Sequence, residues 1–439
     1  MTTTELALNW NPIDWPLTHG PIPYAVLAAG WISVAALALS RDRRWRSLRP
    51  VGAVLLGGTL TALVEFVVDG WWHPFPEGLP DYVIGWIALA LFGISLAVFR
   101  APLLSRRRHR FYAAGGAALV VLTAASQVNR GFDQYPTART MLAPKTQALT
   151  SGHASDTVTT PPDRALADVW QAPPGLPAKG TVSSTRIPGT KSGFATRDAY
   201  VYLPPAYQAS PRPLLPVVVL LPGQPGAPSD WITSGAIQDT LDAFAAEHHG
   251  LAPIVVVADP TGDSWTNTLC MDSRIAKAHT YLAEDVPDWI HSRLQTATGR
   301  TSLAVGGLSL GGTCSLQLAV NAPQVYGTFL DISGQSEPTL GGHSETVAKA
   351  FGGDEAAFAA VDPLHLMAAR SFPDTAGVFV VGANDPDFRP QQEKAFEAAK
   401  QAGMAVDYQT LPGGHSWSVF RGAFEQNLPW LAKRMELIR

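Results

Sequence analysis

Four long apolar runs dominate residues 1–130 of the chain, at Ile22–Leu39, Val51–Val68, Tyr82–Phe99 and Phe111–Val128. Each is about 18 residues long, enough for a helix to cross a hydrocarbon core of about 30 Å. The third and fourth runs are almost uninterrupted, the first is rich in Ala, and the second carries Glu65. A soluble domain seldom needs four such helices in succession, so the pattern predicts a four-helix transmembrane region.

The loops between the runs predict an orientation. Arg41, Arg43, Arg44, Arg46 and Arg49 lie between the first and second, and Arg100, Arg106, Arg107, Arg108 and Arg110 between the third and fourth. The loop Asp69–Asp81 carries acids and aromatics but no Lys or Arg. Basic loops stay in the cytoplasm, so both termini and everything after the fourth helix are expected on the extracytoplasmic side of a cell membrane. Thr2–Glu5 is polar and acidic, without the basic stretch that opens a cleaved signal peptide. Glu65 is either part of a polar pathway or a satisfied helix–helix contact, and the second is the expectation. Trp71 and Trp72, next to His73, read as interfacial anchors.

Beyond residue 130 the pattern changes. Residues 131–180 are rich in Pro, Ala and Thr, with pairs at Pro161–Pro162 and Pro173–Pro174, which predicts an extended spacer. A short helical piece is expected around Arg164–Trp170. Residues 181–439 alternate between strands and helices. Leu215–Leu221 and Ile254–Ala258 are continuous β-branched runs, as strands buried on both faces should be. Ala199–Leu203, Ser302–Val305, Gly327–Ile332, Gly377–Val381 and Val406–Leu411 complete the strands. Helices are expected at Ala236–His248, Thr280–Gln295, Thr313–Asn321 and Pro390–Ala402. The reading is an α/β fold with a mostly parallel, doubly wound sheet, preceded by four transmembrane helices. Sites on such sheets lie at the carboxyl ends of the strands.

Composition removes several function classes. The 439 residues are 46% hydrophobic and only 15% charged, with a net charge of −4, so no field recruits nucleic acid. The two cysteines, Cys270 and Cys314, have no metal-binding spacing, and no metal is expected. No nucleotide or flavin motif is present, so no cofactor is expected.

The chemistry is concentrated in three places. Gly307-Leu308-Ser309-Leu310-Gly311 follows one strand and opens a helix, the context in which Gly-x-Ser-x-Gly exposes a nucleophilic serine on a tight turn. A Gly-rich structural turn is the plainer alternative. His415, in Leu411-Pro-Gly-Gly-His-Ser-Trp, follows the last strand and is the candidate general base. The preceding strand ends Val380-Val-Gly-Ala-Asn-Asp385-Pro-Asp387; both acids are candidates to orient the histidine, and Asp385 is preferred because it is nearer the strand end. Oxyanion donors are expected from the backbone of Leu310 and from the loop Pro222–Gly226, where Gln224 is favoured because Pro225 has no N–H.

The runs Leu220-Leu-Pro-Gly-Gln, Asp259-Pro-Thr-Gly-Asp, Gly307-Leu-Ser-Leu-Gly-Gly-Thr and Gly413-Gly-His-Ser-Trp resemble the esterase D and antigen 85 (mycolyltransferase) branch of the α/β-hydrolases. The resemblance implies an α/β-hydrolase fold acting on esters by hydrolysis or acyl transfer, with Ser309, Asp385 and His415 as the triad. The chain departs from the mycolyltransferases in its four helices and in having Asp in the acid position. Pro222 also stands where many esterases carry His.

An exterior domain permits disulfides, and Cys270 and Cys314 both fall near the active edge of this topology. The expectation is a Cys270–Cys314 disulfide rather than two buried thiols; closing that loop stabilises by up to about 4 kcal/mol in the chain-entropy view. The predicted protein is a membrane-anchored serine esterase acting on an ester or lipid-like acyl substrate. The alternatives are an acyltransferase working on envelope glycolipids and a non-catalytic envelope scaffold.

Overall fold

The computed structural model describes residues 11–39, 45, 48–72, 77–149, 152, 154–161 and 163–439. Thr2–Glu5, Arg41, Arg43, Arg44, Arg46, His73 and Pro162 lie outside the described residues. The chain divides into two compact units, Met1–Leu142 and Ala143–Arg439.

The first unit contains four helices long and apolar enough to cross a membrane. They are α1 (Pro21–Ala38), α2 (Arg49–Trp72), α3 (Asp81–Arg100) and α4 (Arg107–Phe132). α4 packs against both α1 and α3, and α2 packs on α3. The contacts rest on small residues, because van der Waals fit replaces the hydrophobic effect when the solvent is lipid. A Cβ on Gly30 would stand 2.2 Å from Thr123 Oγ1, and one on Gly93 would stand 2.8 Å from Val120. Thr123 donates its hydroxyl to Val26 O across the α1–α4 contact at 2.9 Å.

Arginines close the ends expected in the cytoplasm. Arg100 donates to the last carbonyls of α1, at Ala36 and Leu37, and Arg49 donates to Phe99 O at 3.0 Å. Helix ends leave carbonyls without partners, and these side chains supply the donors. Glu65 departs from expectation. It ends the α-helical part of α2, before a π turn at Phe66–Trp72, and faces outward rather than into a helix–helix contact. It lies one turn before Asp69, close to the exposed Trp71 and Trp72.

The second unit is built on one eight-stranded sheet. Its strands are β1 (Thr181–Thr185), β2 (Ala199–Leu203), β3 (Val217–Leu221), β4 (Ile254–Val257), β5 (Leu303–Leu308), β6 (Thr328–Ile332), β7 (Ala376–Gly382) and β8 (Ala405–Leu411). The spatial order is β8-β7-β6-β5-β3-β4-β2-β1, parallel except at β2. β3, β4 and β5 are buried along their whole length, which is why their sequences do not alternate. The principal helices are α5 (Ile237–Glu247), α6 (Val286–Arg293), α7 (Leu310–Asn321), α8 (His343–Phe351), α9 (Arg389–Gln401) and α10 (Trp417–Arg434).

The spacer expected at 131–180 is largely not free. Asn129 holds both the N–H and the carbonyl of Tyr135 at the end of the first unit. From Ala143 onward the chain lies on the second unit. Gln147 N–H bonds Val182 O at 2.8 Å, and Thr157–Val158 pairs with Arg212–Pro213. Leu166 and Trp170 are buried, and the Trp170 indole donates to His249 O at 3.0 Å. Pro-rich composition denies this stretch a regular hydrogen-bond pattern, but it does not prevent single apolar side chains from anchoring it. The helical piece expected at Arg164–Trp170 is one 3₁₀ turn, Leu166–Asp168.

Cys270 and Cys314 form a disulfide, as expected, with Cα atoms 5.4 Å apart and a separation of 44 positions in sequence. It joins α7 to the segment after β4, where Leu269 and Met271 share a satellite core with Val347, Ala350 and Phe358.

Replacing Gly30 by Leu is expected to force α1 from α4 and break the Thr123–Val26 bond, costing about 1–3 kcal/mol. Gly115→Leu meets nothing within 4 Å and serves as the control. Thermal unfolding in detergent micelles should show a lowered midpoint for the first variant only.

Candidate active site

Ser309 occupies a turn that only a few residues can build. It is the N-cap of α7 with φ 54° and ψ −121°, a backbone conformation rare for a residue with a side chain. A Cβ on Gly307 would stand 2.3 Å from Gly311 O, and one on Gly311 would stand 2.2 Å from Leu221 O. Both glycines are therefore required for β5 to turn into α7 against the end of β3. The turn is fixed by Ser309 N–H to Ile332 O at 2.8 Å and by Thr313 N–H to Ser309 O at 3.0 Å.

His415 and Asp385 come together on neighbouring loops. Asp385 Oδ2 accepts from His415 Nδ1 at 2.9 Å, while Oδ1 accepts from Phe388 N–H at 3.3 Å. Asp385 is buried, whereas the exposed Asp387 offers its backbone carbonyl to Gln391. Asp385 is thus the acid that reaches the histidine. The two loops are stitched by Ala383 N–H to Leu411 O and Asn384 N–H to Gly413 O. The His415 ring stacks on Phe388, with centroids 4.1 Å apart, and meets the edge of Phe420 at 5.1 Å. These rings limit imidazole rotation, and no motif in the sequence marks them.

The loop after β3 lies directly beside the serine. A Cβ on Gly223 would stand 3.2 Å from Ser309 Cβ. The Gln224 side chain donates to Trp265 O at 2.7 Å, which ties this loop to the one after β4. Leu310 opens α7, so its N–H belongs to the first turn that no intrahelical carbonyl satisfies. A serine on a strained turn, an imidazole paired with a buried carboxylate, and the loop after β3 thus all follow the carboxyl ends of parallel strands of one sheet.

Beneath the turn lies Asp331, also unannounced by the sequence. It is fully buried, and loss of solvation pushes its carboxyl up to about 7, opposed in part by Gln392 and the Gly334 N–H. Oδ1 accepts from Gly334 N–H at 3.0 Å, but Oδ2 and the nearby Gln392 Oε1 have no donor. Among the described residues no cluster of His, Cys, Asp and Glu fits a metal ion.

An esterase family model, described as "Putative esterase", matches residues 195–431. The chain belongs to the esterase family. Beyond this esterase's catalytic unit, an uncharacterised protein of Corynebacterium glutamicum is 37% identical over 412 residues, 92% of this chain and 93% of that one. Among solved structures, a ferulic acid esterase superposes with a TM-score of 0.50 at 17% identity, over 58% of this esterase and 99% of that chain. An S-formylglutathione hydrolase from Agrobacterium tumefaciens gives 0.49 at 19% identity, over 59% and 97%.

Asp331 generates a pH dependence. Between an unfolded value near 3.8 and the folded value of about 7, the folded chain keeps a proton that the unfolded chain has released. Stability therefore falls as pH rises through that window, by at most about 1.4 kcal/mol for each pH unit crossed. Asp331→Asn, which is neutral at every pH, should remove this slope. Thermal midpoints of the two proteins compared at pH 5 and pH 8 check it, the wild type losing more.

Proposed function

We propose that this esterase is a membrane-anchored serine hydrolase working through Ser309, His415 and Asp385, with its catalytic unit on the outer face of the cytoplasmic membrane. The observation that carries the reading is the pairing of His415 with Asp385 on the loops after β7 and β8, at the same sheet edge as a serine held in the strained strand-to-helix turn. Family membership alone would leave the reacting residues open.

In the proposed reaction Ser309 Oγ attacks the ester carbonyl carbon while His415 Nε2 takes its proton. Asp385 holds the Nδ1–H tautomer and stabilises the imidazolium. The oxyanion is received by the N–H groups of Leu310 and Gln224. Collapse breaks the bond to the alkoxy group, which leaves as an alcohol with the proton from His415. Water, deprotonated by the same histidine, then attacks the acyl-enzyme and releases the acid. An acceptor alcohol in place of that water gives acyl transfer by the same steps. The outer placement rests on the Arg-rich loops that flank the helices, and a membrane anchor favours lipid or envelope glycolipid esters as substrates.

Labelling of intact cells with a membrane-impermeant fluorophosphonate tests nucleophile and placement together. Strong labelling of the wild type and none of Ser309→Ala is expected. An unlabelled wild type, or equal labelling of the variant, overturns the reading. Asp385→Asn should lower kcat by orders of magnitude, whereas Asp387→Asn should leave it near wild type. A short ester such as p-nitrophenyl acetate suffices for that measurement.

A further inference from the structure

Arg197 precedes β2, and both β3 and β4 lie between that strand and β5, which leads to Ser309, yet every donor of its guanidinium is committed near the active edge. Nε and Nη2 bind the two carboxylate oxygens of Asp259 at 3.2 and 2.7 Å. Nη2 also reaches Thr261 Oγ1 at 2.8 Å. Nη1 donates to Gly226 O at 2.8 Å and to Ser264 Oγ at 3.2 Å. These account for all five N–H groups that an arginine possesses. The Arg197 backbone N–H adds a bond to Asp259 Oδ2 at 2.7 Å.

Asp259 is wholly buried, and removing a carboxylate from water is offset only where partners of good geometry surround it. Structural pairing explains the contacts with Asp259. It does not explain the other side of the fork, which grips a backbone carbonyl in the loop after β3. Gly226 is held from both directions, because its N–H bonds Ser264 O at 3.3 Å while its carbonyl accepts from Arg197. Gly226 in turn closes on Gly223, where an added Cβ would stand 2.6 Å from Gly223 O. Gln224 lies within this turn, and Gly223 lies against Ser309. The guanidinium therefore ties three segments together: the lead into β2, the loop after β4, and the loop that borders the nucleophile.

We propose that Arg197 is a positioning residue that preorganises the loop Gly223–Gly226, and with it the Gln224 N–H, for the oxyanion formed at Ser309. The inference rests on the esterase reading of Ser309. Arg197 touches no substrate. Its effect is to fix a donor that must not reorganise when negative charge appears, the condition under which a hydrogen bond accelerates a reaction.

Arg197→Lys separates this role from a purely structural ion pair. Lysine keeps a cation beside Asp259, but a compact ammonium cannot span Gly226 O and Ser264 Oγ as the planar fork does. In the full-length protein in detergent, kcat on p-nitrophenyl acetate should fall about 10- to 100-fold, part of the loss seen when an oxyanion donor is deleted. KM should stay within about twofold, because the lost interaction belongs to the transition state. Affinity for phenylboronic acid, which forms a tetrahedral adduct on the serine, should weaken alongside kcat. Ser264→Ala disturbs no buried charge and provides a second reading should the lysine variant not fold; kcat should again fall at unchanged KM. Folded variants with wild-type kcat and boronate affinity overturn the inference while the wild type remains labelled by fluorophosphonate. An inactive, unlabelled wild type instead sinks the esterase reading, and this inference with it.

Discussion

The contact between Gly311 and the last residue of β3 constrains everything at the active edge. No side chain fits between Gly311 and Leu221 O, so β5 can turn into α7 only by pressing its first helical turn onto the neighbouring strand. That approach pushes Ser309 into its positive-φ conformation and aims the start of α7 at the place where its hydroxyl emerges. The cost of the strained residue is met by burial of α7 along most of its length and by bonds to the end of β6. The disulfide adds a covalent tie from the same helix to the segment after β4.

From that turn outward the edge is ordered by backbone rather than by side-chain charge. Ser309 bonds the end of β6, Ser333 bonds Val380 in β7, and Ala383 bonds Leu411 in β8. The serine loop follows β5, and the acid and histidine loops follow β7 and β8, with β6 linking the two sides. On the other flank Ala258 N–H bonds Leu220 O in β3 and Gly226 N–H bonds Ser264 O. There Arg197 adds a side-chain bridge between the loops after β3 and β4, anchored by its ion pair with Asp259.

What the sequence made legible follows from the range of each interaction. β3 and β4 announced themselves because strands buried on both faces need runs of β-branched residues. β1, Thr181–Thr185, is an edge strand with Val182 as its single large apolar residue, and its pattern is silent. The tight turn at Ser309 was readable from glycine spacing and the loop of His415 from its place after the last strand, both local signals. Asp385 and Asp387 sit two residues apart on one loop, and only the path of that loop decides which meets the imidazole. Arg197 contacts partners 29 to 67 residues away, all of them on irregular loops, so no local pattern marks it. Asp331 is hidden in Thr-Phe-Leu-Asp-Ile, where a central polar residue reads as ordinary strand alternation.

The two units differ most in what they leave uncovered. Among the described residues of the second unit, Trp265 and Ile275 are the large apolar side chains left exposed. In the first unit exposed Trp, Phe, Leu, Ile and Val side chains recur along all four helices, while glycines and hydroxyls fill the helix contacts. Water would drive such a bundle to turn its apolar side chains inward. A solvent of hydrocarbon removes that drive and leaves close fit and internal hydrogen bonding to hold the helices together, which is what Gly30, Gly93 and Thr123 provide. One chain therefore obeys two solvents, and the change from one rule to the other falls near residue 142, where apolar exposure stops and a closed core begins.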